Sequence, residues 1–211
     1  MSNDAPQTGP DADEATLGFY DREGAAYATW SAPSGDHVWL ERFISLTPPE
    51  GKLLDFGCGG GWATKRMLDL GRRVDAFDGS AALAEEASKL TGINVKVMRF
   101  EGLNEAARYA GVWASFCLLH APRRAMPGHL RRIARALVPG GVFYLGLKRG
   151  AGEARDRFGR LYTYFEPEEI RALLAEAGFE AVEIDETEDA AYGGGSETAM
   201  HIFSRKGGAD G

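Results

Sequence analysis

The sequence predicts a doubly wound α/β fold closed by a terminal hairpin, and three observations carry that expectation. Short apolar runs alternate with amphipathic helical patterns between Lys52 and Gly178. Those runs lack apolar–polar alternation, as strands do when a parallel sheet is covered on both faces. After Gly178, two further runs, Phe179–Ile184 and Ala199–Ser204, are joined through Gly193-Gly194-Gly195 with no helix between them, which makes them an antiparallel pair.

Each element follows in order. Residues 1–15, rich in Asp, Ala and Pro, predict a disordered acidic tail, and 207–211 a second tail. A single domain is expected over 16–206, with cap helices over 16–50. An aromatic segment runs from Phe19-Tyr20 to Trp30. Next, Val38, Leu40, Phe43, Ile44 and Leu46 have the spacing of a short amphipathic helix that stops before Pro48-Pro49. Strands are expected at Lys52–Phe56, Arg73–Phe77, Val95–Phe100, Val112–Leu118 and Val142–Leu147. Ser80 can N-cap a helix carrying Leu83, Ala87 and Leu90, which Gly92 stops. Pro127 and Pro167 sit at first-turn positions of two more helices, ended by Pro139-Gly140-Gly141 and by Gly178. The stretch 148–165 is longer than an ordinary connection and is read as a lid loop.

Composition narrows the function. The chain has 211 residues, long enough to bury one real core. With 24 basic and 31 acidic side chains its net charge is −7, which argues against a nucleic-acid or anionic-membrane partner. Cys58 and Cys117 both lie in apolar, strand-like surroundings and suggest no disulfide framework. No apolar run has the length of a membrane span, and the polar N-terminus is unlike a signal peptide, so a cytoplasmic enzyme is expected. The pattern shows no metal cluster and does not set an oligomeric state.

The chemistry concentrates in Leu53-Leu54-Asp55-Phe56-Gly57-Cys58-Gly59-Gly60-Gly61. An apolar strand ends in a carboxylate, and glycines then recur at alternate positions before a helix. This is the pattern of a turn that lets a ligand approach the backbone and the helix N-terminus. The dinucleotide fingerprint would require a third glycine where Trp62 stands. Asp78, at the end of the next strand about twenty residues on, can accept bonds from ribose hydroxyls.

These motifs, together with Phe77-Asp78-Gly79-Ser80, Phe116-Cys117-Leu118-Leu119-His120 and Ala136-Leu137-Val138-Pro139-Gly140-Gly141-Val142, resemble the class I S-adenosylmethionine-dependent methyltransferases over residues 19 to 205. Phe19-Tyr20-Asp21, Ala26-Tyr27-Ala28 and Leu118-Leu119-His120-Ala121-Pro122 look most like the small-molecule branch that includes tellurite-resistance-type enzymes. The resemblance implies a mostly parallel seven-stranded sheet of order 3-2-1-4-5-7-6 with the last strand antiparallel, and S-adenosylmethionine as cofactor.

It also implies residue roles. Gly57, Cys58, Gly59 and Gly61 would lie under the methionine and ribose, Asp55 near the methionine ammonium, and Asp78-Gly79 at the ribose. Glu101, Gly102 and Leu103 would meet the adenine, and Cys117 and Leu118 would line the cleft beside the sulfur. Tyr20 and Tyr27 would cover the cofactor. Methyl transfer asks mainly for alignment, and a base matters only where the acceptor must lose a proton; His120 is the candidate. Arg149, Arg160 and Tyr162, in the lid loop, are candidates for an anionic or planar acceptor. The expected function is methyl transfer to a small molecule. The alternatives are a noncatalytic S-adenosylmethionine-binding regulator and an NAD(P)-dependent oxidoreductase.

Overall fold

The computed structural model describes residues 13–31, 37–190 and 195–208. Most of the 1–15 tail, 209–211 and Gly193-Gly194 lie outside the described residues. Helix α1 (Glu14–Ser31) starts inside the span expected as tail, because the Asp13 carboxylate caps it, accepting from the Thr16 amide and hydroxyl at 2.8 Å each. Helix α2 (Val38–Ser45) ends before Pro48, as the spacing requires.

Strands β1 (Leu53–Phe56), β2 (Val74–Asp78), β3 (Lys96–Val97), β4 (Tyr109–Ser115), β5 (Leu137–Lys148), β8 (Phe179–Ala190) and β9 (Ser196–Lys206) form one seven-stranded sheet, ordered β3-β2-β1-β4-β5-β9-β8. β9 runs antiparallel to both its neighbours, β5 and β8, and every other pair in the sheet is parallel. Counted within that sheet, the order is the expected 3-2-1-4-5-7-6. Strands β6 (Glu153–Arg155) and β7 (Leu161–Thr163) form a separate small hairpin inside the stretch read as a lid loop.

Helices α3 (Trp62–Asp69), α4 (Ala81–Thr91), α5 (Met126–Ala136) and α6 (Pro167–Glu176) complete the chain. The cap signals act as written: Ser80 Oγ accepts from Leu83 N, Gly92 takes the left-handed conformation at the end of α4, and Pro127 and Pro167 sit in first turns. One core lies between the sheet and α5 and α6, with Phe143, Leu145, Ile133 and Leu174 among its buried members. The other lies under α2 and α3, where Trp113 and Tyr144 stack with centroids 3.7 Å apart.

β1 starts and β2 lies one residue later than expected, and β8 and β9 run longer than Phe179–Ile184 and Ala199–Ser204; three further differences bear on the site. β3 is an edge strand that pairs only through Phe77–Lys96 and Asp78–Val97, so the chain leaves it early for a 3-10 turn at Phe100–Gly102. β4 begins at Tyr109 and ends at Ser115, which puts Cys117 and Leu118 in the turn beyond it. β5 reaches back to Leu137, paired with Tyr109, and so takes in Pro139-Gly140-Gly141. Among the described residues no helix is long and apolar enough to cross a membrane.

Candidate active site

The turn after β1 carries Gly57, Gly59 and Gly61 at φ of 68°, 55° and 84°. A side chain at Gly59 would meet nothing within 4 Å, so the crest of the turn is open. A cavity of about 950 Å³, counting its open mouth, begins there; this is within the range of small-ligand sites. Gly61 has a different task. A Cβ on it would stand 2.8 Å from Ala87 Cβ, so its missing side chain lets α3 start against α4. At Gly60 a Cβ would stand 2.6 Å from Ala28 Cβ, and this contact seats α1 directly on the turn.

Two carboxylates, Asp55 buried and Asp78 half-buried, line this end of the cavity. Asp78 accepts from Gly59 N at 2.8 Å and from Ser80 N at 2.9 Å, which ties the turn to the end of β2. Burial raises its pKa, and the two amides oppose that. Asp55 accepts from Thr64 Oγ1 at 2.6 Å, and burial, with Asp78's charge adding, pushes its pKa up to about 7. Among the described residues the one Lys or Arg on the cavity wall is Arg99, already paired with Glu14 at 2.6 Å. The interior is therefore an anionic site with no facing cation.

This has a measurable consequence. The folded pKa of Asp55 lies above its unfolded value near 3.9. Its stabilising contribution is thus full below about pH 4 and lost as pH rises through about 7. Asp55→Asn, which keeps an oxygen for Thr64, is expected to raise the ligand-free melting temperature at about pH 8 by roughly 5 °C and to change it little at about pH 5. Equal shifts at both pH values would contradict a buried, uncompensated charge.

Helix α1 and the β6–β7 hairpin cover the cavity together. Arg155 holds Asp13 through two bonds of 3.0 and 2.6 Å, Leu161 N donates to Thr16 Oγ1 at 2.8 Å, and Ser80 Oγ donates to Asp21 at 2.6 Å. At the centre, Arg160 Nη1 donates to Tyr20 Oη at 3.1 Å, and Tyr20 Oη lies 2.8 Å from His120 Nε2. His120 Nδ1 lies 2.6 Å from the Leu161 carbonyl, which can only accept. The imidazole is therefore the Nδ1–H tautomer, and its Nε2 lone pair receives the Tyr20 proton. Burial lowers the His120 pKa to about 3 and raises that of Tyr20. Both His120 nitrogens are thus committed within the fold.

Trp62, Trp113, Ser115 and Phe116 line another part of the cavity. Phe116 holds a left-handed φ of 50°, rare for a residue with a side chain, and its amide donates to Gly146 O at 3.1 Å. A Cβ on Gly146 would lie 3.1 Å from the Phe116 ring, so that glycine makes room for the ring.

Of the residues expected from sequence, Asp55, Gly57, Cys58, Gly59, Asp78, Gly79, Cys117, Tyr20, Tyr27 and His120 meet on the cavity wall. Gly61, Glu101, Gly102, Leu103 and Leu118 do not. Leu103 and Leu118 are buried in the core, and Gly102 packs on Met98. Arg99 and Phe100 take the wall position instead, because β3 ends early. Glu101 Oε2 is nonetheless buried without a hydrogen-bond partner, an acceptor left open beside Phe100.

The acceptor-binding candidates are also off the wall. Arg149 pairs with Glu166 and Glu186 at the surface. Arg160 is buried against Asp156 and Tyr20, and Tyr162 sits edge-on to His120. Sequence reasoning missed Trp113 and Ser115, since inside a doubly buried strand nothing in the pattern says which residues end at a cavity, and Phe116, whose left-handed turn just past β4 leaves no mark in the pattern.

A seven-stranded sheet of this order, with a glycine turn and two carboxylates at the carboxyl ends of β1 and β2, defines the class I S-adenosylmethionine-dependent methyltransferase fold. The model of the methyltransferase domain family matches residues 36–184, and the chain belongs to that family. No protein of curated function matches the sequence. Among solved structures, the chain is similar to the Burkholderia thailandensis 1,6-didemethyltoxoflavin-N1-methyltransferase, bound to 1,6-didemethyltoxoflavin and S-adenosylhomocysteine (23% identity, 97% of this chain and 93% of that one, TM-score 0.74). It is also similar to DhpI in complex with S-adenosylhomocysteine (22% identity, 95% and 99% covered, TM-score 0.69). A third similar structure is the [4+2]-cyclase SpnF (17% identity, 95% and 98% covered, TM-score 0.68). At these identities the likeness is one of fold.

Proposed function

We propose that the chain transfers a methyl group from S-adenosylmethionine to a small-molecule acceptor bound in the same cavity. The observation that carries this reading is the pair of carboxylates, one buried and one half-buried, beside an open glycine turn with no facing cation. Such a site fits a nucleotide that is itself positively charged. S-adenosylmethionine, when bound, supplies an electrophilic methyl group on a cationic sulfur.

The chain's own residues would hold and orient it. Asp78 keeps lone pairs free, beyond those used by Gly59 and Ser80, for two ribose hydroxyls. Asp55 is the counter-charge for the methionine ammonium. Phe100, stacked on Phe56 at 4.9 Å, offers the flat wall for the base, with the open Glu101 acceptor beside it. Helix α1 excludes water from above, fixed there by Tyr20, His120 and Arg160. In this reading His120 is a positioning residue that holds Tyr20 in place. The small acceptor is supported by the enclosed cavity, and the Burkholderia neighbour holds a small molecule of its own.

Melting with ligand tests the reading. A hundredfold excess over Kd stabilises the native state by about 2.7 kcal/mol, roughly 5–10 °C for a chain of this length. Shifts of that size are expected with S-adenosylmethionine and S-adenosylhomocysteine and none with NAD. A response to NAD alone would overturn it.

A further inference from the structure

We infer that the acceptor is a neutral, planar aromatic amine that takes the methyl group on nitrogen. The inference rests on the methyltransferase reading above and names the substrate class of that same site. Three features of the cavity converge on it.

The first is shape and surface. Tyr20, Tyr27, Trp62, Trp113 and Phe116 all contribute to the wall, and such rings hold a flat ring by offset or edge contacts. Phe116 is kept there at a backbone cost, with Gly146 left bare to admit its ring.

The second is charge. An anionic acceptor would enter beside Asp55 and Asp78, and the wall's Arg99 is already paired with Glu14. The arginines of 148–165 cannot substitute. Arg149 and Arg155 are paired with carboxylates at the surface, Arg160 is buried on Asp156, and Arg157 lies over the Phe158 ring, off the cavity wall. Carboxylates, phosphates and oxyanions thus find no receiving group.

The third is the missing base. Both His120 nitrogens are engaged, by Tyr20 and by Leu161, and Asp55 and Asp78 are committed to the cofactor's ammonium and ribose, so the acceptor reacts in the protonation state in which it binds. Alcohols and thiols need to lose a proton first, whereas a neutral amine already carries its lone pair. That lone pair forms the N–C bond as the C–S bond breaks, its electron pair staying on sulfur. The methylated nitrogen then releases its surplus proton to water.

Titration calorimetry on the full chain tests this without relying on turnover. The chain is saturated with S-adenosylhomocysteine at about pH 8, and 6-aminoquinoline is compared with quinoline-6-carboxylate. The amine is expected to bind at least about tenfold tighter. Phe116→Leu should weaken the amine about tenfold or more while leaving S-adenosylhomocysteine affinity within about threefold. Phe116→Met, a milder change at the same ring, serves the same purpose should the leucine variant not fold. Carboxylate binding as tight as the amine, or no amine binding to the loaded chain, would overturn the proposal. Failure of S-adenosylhomocysteine itself to bind would instead overturn the methyltransferase reading.

Discussion

Asp78→Ala is expected to weaken S-adenosylhomocysteine binding about 100-fold or more while the protein stays folded. Hydrogen bonds to a charged group contribute about 1.5–3 kcal/mol each, so losing two to the ribose costs at least about 3 kcal/mol. The substitution also releases Gly59 N and Ser80 N, the bonds that shape the glycine turn. It leaves those two amides without their acceptor, so the ligand-free melting temperature should fall by a few degrees while the fold holds. Calorimetric titration and thermal melting of wild type and variant check the two parts. Unchanged affinity would take the ribose role away from Asp78.

The second large effect concerns stability. Arg160→Leu is expected to lower the melting temperature by roughly 10 °C. The Arg160 side chain is 2% exposed, bonded to Asp156 at 2.7 Å and to Tyr20 Oη at 3.1 Å. The Phe19 ring lies 4.8 Å from its guanidinium carbon and the Tyr162 ring 5.3 Å. Breaking a buried pair by removing one partner costs about 3–5 kcal/mol, and each kcal/mol is worth about 2–4 °C at this chain length. Adding Asp156→Asn should recover part of the loss, since it removes the stranded carboxylate. A single variant that melts within about 2 °C of wild type would show that Arg160 does not hold the cover over the cavity.

Much of this molecule is legible in its sequence. Ser80 and Gly92 delimit α4, Pro127 and Pro167 open α5 and α6, and the unbroken hairpin after Gly178 closes the sheet. Asp55, Gly57, Gly59 and Asp78 were readable as a site because a strand–turn–helix junction brings them together from nearby positions.

What sequence could not show depends on distant partners. The arginines of 148–165 stand out as a cluster, but Arg155 spends its charge on Asp13, 142 residues away. Arg149 meets Glu166, just before α6, and Glu186, which reaches it only once β8 has joined the sheet. His120 has the position of a base at the cavity rim, yet Tyr20, 100 residues earlier, occupies its lone pair. Arg99 and Phe100, rather than Glu101 to Leu103, reach the cavity wall because β3, an edge strand with one neighbour, ends at Val97. Sheet pairing, not local propensity, sets that end.

A crystal structure of the chain grown with S-adenosylhomocysteine tests the central claim most directly. The expected result is one molecule in the cavity, its ribose hydroxyls within hydrogen-bond reach of the Asp78 carboxylate and its backbone approach made at Gly57–Gly59. Its sulfur should face the space bounded by Tyr20, Cys117 and Phe116. Density for the ligand anywhere else, or a ribose turned away from Asp78, would contradict the assignment of this cavity as the methyl-transfer site.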